Sequence, residues 1–191
     1  MPSIRSLALP IALLALTVQA VVARVDVKVD FDKNFNFAAV KTWGWRPAGP
    51  GEVKMARTLT DDPDAWKKRG EPWIVEEVTR EMARLKLTPA AADPDVTIAY
   101  FLLLTTNQES QSMGQFLPPT MAWGLPLFPQ ATTSMKVLNQ GALVLDLSAK
   151  GSVVWRGVAQ AQLKTDTDFK KREALIREGV RDLLKRYPPK P

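Results

Sequence analysis

The 191-residue chain contains neither histidine nor cysteine, so any chemistry must come from carboxylates, lysines, arginines, hydroxyls and aromatic rings. Lacking histidine, it has no ordinary general base near neutral pH and not the commonest zinc ligand. Lacking cysteine, it can form no disulfide, no thiolate metal site and no thiol nucleophile, and no haem is expected. Asp26, Asp30 and Asp32 share one side of an alternating segment. That spacing could hold calcium or serve hydrolysis, but it describes the wet face of a strand equally well. EF-hand and phosphate-loop spacings are missing. Ser148 near Lys150 sits in a Ser-Ala-Lys-Gly turn, a poor place for a serine–lysine nucleophile. The expectation is no catalytic residue, no metal ligand and no cofactor, hence a protein that is not an enzyme.

Binding chemistry has more candidates. Trp43 and Trp45 stand two apart and fall on one face of a strand, as core or as a ligand platform. Arg156 faces away from Trp155 and either pairs with Asp146 as a surface arginine or anchors a partner or polar ligand. Phe116, Trp123 and Phe128 lie in a long aperiodic stretch from Asn107 to Thr133. Its section 114–130 would either cover the second face of the middle strand or meet an envelope protein or the membrane surface. Basic residues outnumber acidic ones by 26 to 20. The densest clusters, Lys67-Lys68-Arg69 and Lys170-Lys171-Arg172, read as solvated faces with a mild attraction to anionic lipid. Nucleic acid is not an expected partner.

The elements that must position these groups begin after an export leader. A basic start to Arg5, an apolar run from Leu7 to Val22, and small residues at Ala20 and Ala23 describe a cleavable signal over residues 1–23. The run is too short for a membrane span of roughly 20 residues. Residues 24–191 are then one domain. Arg24–Phe31 alternates as a half-buried strand, and Val40–Arg46 reads as a second. A helix is expected from Glu71, with Pro72 at its first position. Val96–Thr105 is apolar on both faces, as a central strand is. Met135–Leu147 and Ser152–Leu163 form a hairpin turning at Ser148–Gly151, and Gly157 with Ala159 and Ala161 keep one face thin for a helix. A last helix, capped by Asp166 or Thr167, ends at Pro188-Pro189. The expected fold class is α/β (α+β): a two-layer sandwich of a mostly antiparallel sheet with two amphipathic helices on one face.

Several segments in order resemble the DUF4136 family, a domain of unknown function in bacterial envelope proteins that are commonly lipoproteins. Val27-Lys28-Val29-Asp30-Phe31-Asp32, then Asn36 to Trp45 with its Lys41-Thr42-Trp43-Gly44-Trp45, match the opening. Asp93-Pro94-Asp95-Val96 matches the entry to the middle strand, and Gly141–Leu147 with Val154-Trp155-Arg156-Gly157-Val158-Ala159 match the hairpin. The tail Leu183–Pro188 completes the set. The resemblance implies a fold and an envelope location but no reaction. Members commonly carry a lipid-bearing cysteine after the signal; this chain has none, so the expectation is a soluble periplasmic protein. Its role would be to bind a protein partner or the membrane surface, or alternatively a small apolar or carbohydrate ligand.

Overall fold

The computed structural model describes residues 25–55, 62–104, 141–161 and 168–189. Strand β1 (Asp26–Phe31) is followed by a short 3-10 turn (Phe37–Ala39), β2 (Thr42–Trp45) and β3 (Gly51–Met55). Helix α1 (Pro63–Arg84), β4 (Thr88–Pro89), β5 (Val96–Leu104), β6 (Gly141–Ala149), β7 (Ser152–Ala161) and helix α2 (Phe169–Leu184) complete the order. One sheet runs β1-β7-β6-β5-β2-β4, with β3 also beside β5. β1, β7, β6 and β5 pair antiparallel. On the far side of β5, β2 and β3 lie end to end and parallel to it, and β4 is parallel to β2. The sheet is therefore mixed. Three short strands, β2, β3 and β4, account for the difference; Gly51–Met55 alternates over only five residues and Thr88–Pro89 is too short to show a period.

Period two places Val25, Val27, Val29 and Phe31 on the face that also carries Ile98, Tyr100, Leu102, Leu145, Leu147 and Trp155. Both helices cover this face. They run parallel to each other: Trp66 meets Phe169 near their starts, and Glu77 meets Arg177 and Arg181 further along. Glu77 is fully buried and clasped by Arg80 at 3.1 Å and by Arg177 and Arg181 at 3.3 Å each. The thin strip expected on β7 is real. A Cβ on Gly179 of α2 would stand 3.1 Å from the Ala159 Cβ, and one on Gly157 would stand 2.6 Å from Leu183 Cδ2. Helix and strand approach as closely as they do because one side of each of these contacts is a glycine.

Helix starts differ from expectation. α1 begins at Pro63, where the Asp62 carboxylate accepts the Asp64 N–H at 2.9 Å; Pro72 lies inside the helix, on an exposed side. The Asp-Pro pair is the stronger start signal, because it supplies both the cap and a preset first residue. α2 is capped by Asp168, which accepts the Lys171 N–H at 2.8 Å, rather than by Asp166 or Thr167. The hairpin turns through Lys150 and Gly151, both at positive φ (49° and 81°), as a two-residue β-turn requires.

The second face of the sheet carries Ala99, Phe101, Leu103, Ala142, Val144 and Val158, all buried. So β5 is buried on both faces, as its composition foretold. Among the described residues no helix is long and apolar enough to cross a membrane.

Candidate functional site

The sequence candidates do not converge on one site. Trp43 is buried beneath the helices, edge-on to the half-buried Trp45 with ring centres 5.6 Å apart. Arg156 lies on the opposite face of the sheet. It is a buried residue, 1 % exposed, and not the surface arginine that its sequence setting suggests. Its Nε and one terminal nitrogen donate to the two Asp146 oxygens at 2.6 Å each, with Asp146 equally buried. The cross-hairpin pairing is as expected, since Asp146 and Arg156 stand in register. Burial pushes the Asp146 carboxyl up, and the two arginine bonds oppose that rise. Val144, Val154 and Val158, two positions away along the same face, are buried as well, which makes the pair a piece of the interior. Phe116, Trp123 and Phe128, with the whole of 114–130, lie outside the described residues, as do residues 1–23 and the start of the expected strand from Met135.

A different constellation forms where the two helices begin. Because α1 and α2 start side by side, Lys67-Lys68-Arg69 and Lys170-Lys171-Arg172 come together. Phe169 is the exposed large apolar side chain of the described residues, 48 % open. The Arg69 guanidinium stands 4.4 Å from its ring centre and Arg172 stands 6.0 Å away. Arg172 also lies 4.8 Å over the buried Trp66 ring, which tilts against Phe169 at 6.0 Å. Lys68, Lys170 and Lys171 point to solvent, while Lys67 stands 3.9 Å from Glu71. Glu71 in turn accepts the Tyr100 hydroxyl at 2.7 Å, and this carboxylate with burial holds the phenol well above its ordinary range. Among the described residues the acids of this end are largely spent: Asp62 and Asp168 cap helices, Glu71 holds Tyr100 and Glu173 holds Arg177, leaving Asp64. Chemically the site is an aromatic ring among cations. Each triplet was legible in the sequence; their juxtaposition needed the parallel helix pair.

A third arrangement pins the chain's two parallel segments. The Asp95 carboxylate accepts the Lys41 and Thr42 N–H groups at 2.8 Å and the Thr42 hydroxyl at 2.9 Å, and the Asp95 N–H donates back to that hydroxyl at 2.9 Å. These donors hold the Asp95 carboxyl below its ordinary range. The Lys-Thr and Asp-Pro-Asp segments that the resemblance rests on are therefore one structural clasp.

The model of the family described as a domain of unknown function, DUF4136, matches residues 27–189. The chain belongs to the DUF4136 family. A solved DUF4136 family protein from Bacteroides thetaiotaomicron is similar in fold, with a TM-score of 0.50 and 16 % identity over 86 % of this chain and 96 % of that one. A PDZ domain protein from Parabacteroides distasonis is similar at a TM-score of 0.51 and 16 % identity, over 88 % of this chain and 37 % of that one. At such identity the likeness is one of fold. No curated protein matches the chain. The DUF4136 assignment accounts for nearly all of residues 24–191 and carries no reaction with it.

Proposed function

We propose that this DUF4136 protein is an exported, non-catalytic protein of the bacterial cell envelope that docks on anionic membrane surface. The observation that carries the reading is Phe169, exposed among the guanidinium and ammonium groups of two basic triplets. An aromatic ring at the headgroup level with cations around it is a common interfacial anchor, each cation near an anionic surface contributing about 1 kcal/mol. Export is supported by the leader at residues 1–23, and the absence of a lipid-bearing cysteine makes a peripheral attachment the natural one. The non-catalytic reading rests on the absence of histidine and cysteine from the whole chain. A small apolar ligand has less support: the apolar cavity beneath Trp66 and Leu175 holds about 40 Å³, against the roughly 150 Å³ of a cavity that admits benzene.

Co-sedimentation with vesicles tests the reading. The protein should pellet with phosphatidylglycerol vesicles and not with phosphatidylcholine, and binding should fall with added salt. Phe169→Ser together with Lys170→Glu should abolish pelleting without loss of fold by circular dichroism. Equal pelleting by the variant would refute the assignment of this surface.

A further inference from the structure

Among the described residues, β1 pairs with β7 alone, so one of its edges is unshared. The Asp32 N–H donates to the Val154 carbonyl at 2.8 Å. With Asp26 opposite Gln160 and Lys28 opposite Val158, the even-numbered residues turn their backbone groups towards β7. Antiparallel pairing then turns those of Val25, Val27 and Val29 outwards. Phe31 also faces out, but its N–H is already held by the Asp30 carboxylate at 3.0 Å. Beside this edge runs a groove of about 620 Å³, floored by Val25 and Val27 and walled by Glu178, Asp182, Lys185 and Arg186 of α2.

We propose that the occupant is β1 of a second copy, paired antiparallel about a two-fold axis at Val27, so that two sheets become one. Charge selects both the occupant and the register. With the axis at Val27, Asp26 faces the partner's Lys28, Lys28 faces the partner's Asp26, and Val25 faces the partner's Val29. An axis at Lys28 would set lysine against lysine, and one at Val29 would set Asp26 against the partner's Asp32; like charges directly opposite are unfavourable. The Val27 axis also makes its directly opposed valines the ones whose N–H and C=O groups point outwards, giving six backbone hydrogen bonds. The wall of the groove obeys the same symmetry. Along α2 the acids Glu178 and Asp182 precede the bases Lys185 and Arg186; Lys185 already sits on the Asp182 carboxylate at 2.7 Å, and a two-fold axis reverses the partner helix, so its basic end comes towards Glu178. An interface of this kind is isologous and closes at two copies.

Sedimentation velocity on the purified protein should show a concentration-dependent dimer. Val27→Pro removes an outward N–H and no bond to β7, so it should weaken dimerisation at least about tenfold while the monomer stays folded. Lys28→Glu should weaken it several-fold, and adding Asp26→Lys should restore it, because the opposed charges are exchanged. The lack of native cysteine makes a cross-link test clean. Val27→Cys should oxidise to a covalent dimer, since opposed residues of a hydrogen-bonded pair lie about 5.5 Å apart at Cα, within disulfide reach. Val29→Cys should not, because its two copies would stand roughly 14 Å apart. A wild-type monomer at every concentration, a dimer indifferent to both Val27→Pro and Lys28→Glu, or equal cross-linking from positions 27 and 29 would overturn the proposal.

Discussion

Removing one half of the Asp146–Arg156 pair should cost far more than removing both halves. The two side chains are 1 % and 2 % exposed and share two contacts of 2.6 Å. Asp146→Leu takes from the buried guanidinium the carboxylate that accepts from two of its nitrogens, and Arg156→Met takes both donors from the buried carboxylate. Breaking a buried pair from one side typically costs about 3–5 kcal/mol, whereas replacing both partners by apolar side chains is often neutral or stabilising by roughly 1–4 kcal/mol. Set against a total stability of about 5–15 kcal/mol, either single change consumes a large fraction of the fold. For a domain of this size it should lower the melting temperature by about 6–20 °C. Urea denaturation of the wild type, both single variants and the double variant gives the coupling energy as a double-mutant cycle. The double variant should be more stable than either single one. Single-variant losses below about 1 kcal/mol that simply add in the double variant would refute the reasoning, because the pair would then be reached by water.

Trp155→Ala should cost about 3–5 kcal/mol in the same denaturation assay, since the ring is fully buried beneath Leu183 and Tyr187. Gly179→Leu should destabilise by about 1–3 kcal/mol or more, because a side chain there drives into Ala159, while Gly70→Ala on α1, with no atom nearer than 3.9 Å, should be tolerated. The carboxyl of Asp95 is held below its ordinary value near 3.8 by the Lys41 and Thr42 N–H groups. Its contribution is therefore complete above that value and is lost as pH falls through the lower, folded value. Asp95→Ala should reduce stability at pH 7 and flatten the acid limb of a pH–stability curve; an unaltered acid limb would contradict the clasp.

What could be read from sequence followed period and composition. Asp26–Phe31 alternated without a fault, and β5 was apolar on both faces because it is buried on both. Trp155 beside Gly157 and Ala159 marked the strand under α2. The parts that escaped were those whose reason lies elsewhere in the chain. Gly51–Met55 alternates over only five residues of an irregular stretch, too few to read as a strand until β5 offers it an edge. Arg156 looked exposed because arginine usually is; the Asp146 carboxylate in register across the hairpin offsets part of the cost of its burial. The Phe169 surface was hidden for a related reason: each basic triplet is ordinary alone, and their meeting depends on two helices starting at the same end of the sheet. The third candidate group, Phe116 with Trp123 and Phe128, lies outside the described residues.

The register that joins β1 to β7 also sets a timetable. Among the described residues Asp26–Phe31 pairs with Trp155–Gln160 alone, and Glu77 of α1 meets Arg177 and Arg181 of the last helix. A polypeptide that emerges amino-terminus first therefore carries its opening strand unpaired until almost everything else has followed. Such distant pairings make for slow closure and a long exposure of sticky backbone. The alternating Asp26, Lys28, Asp30 and Asp32 suit that wait, for they put a charge at every second position of a strand that must stay dissolved before it has anything to hold. The same residues that look like a surface in the finished molecule act as guards during its assembly.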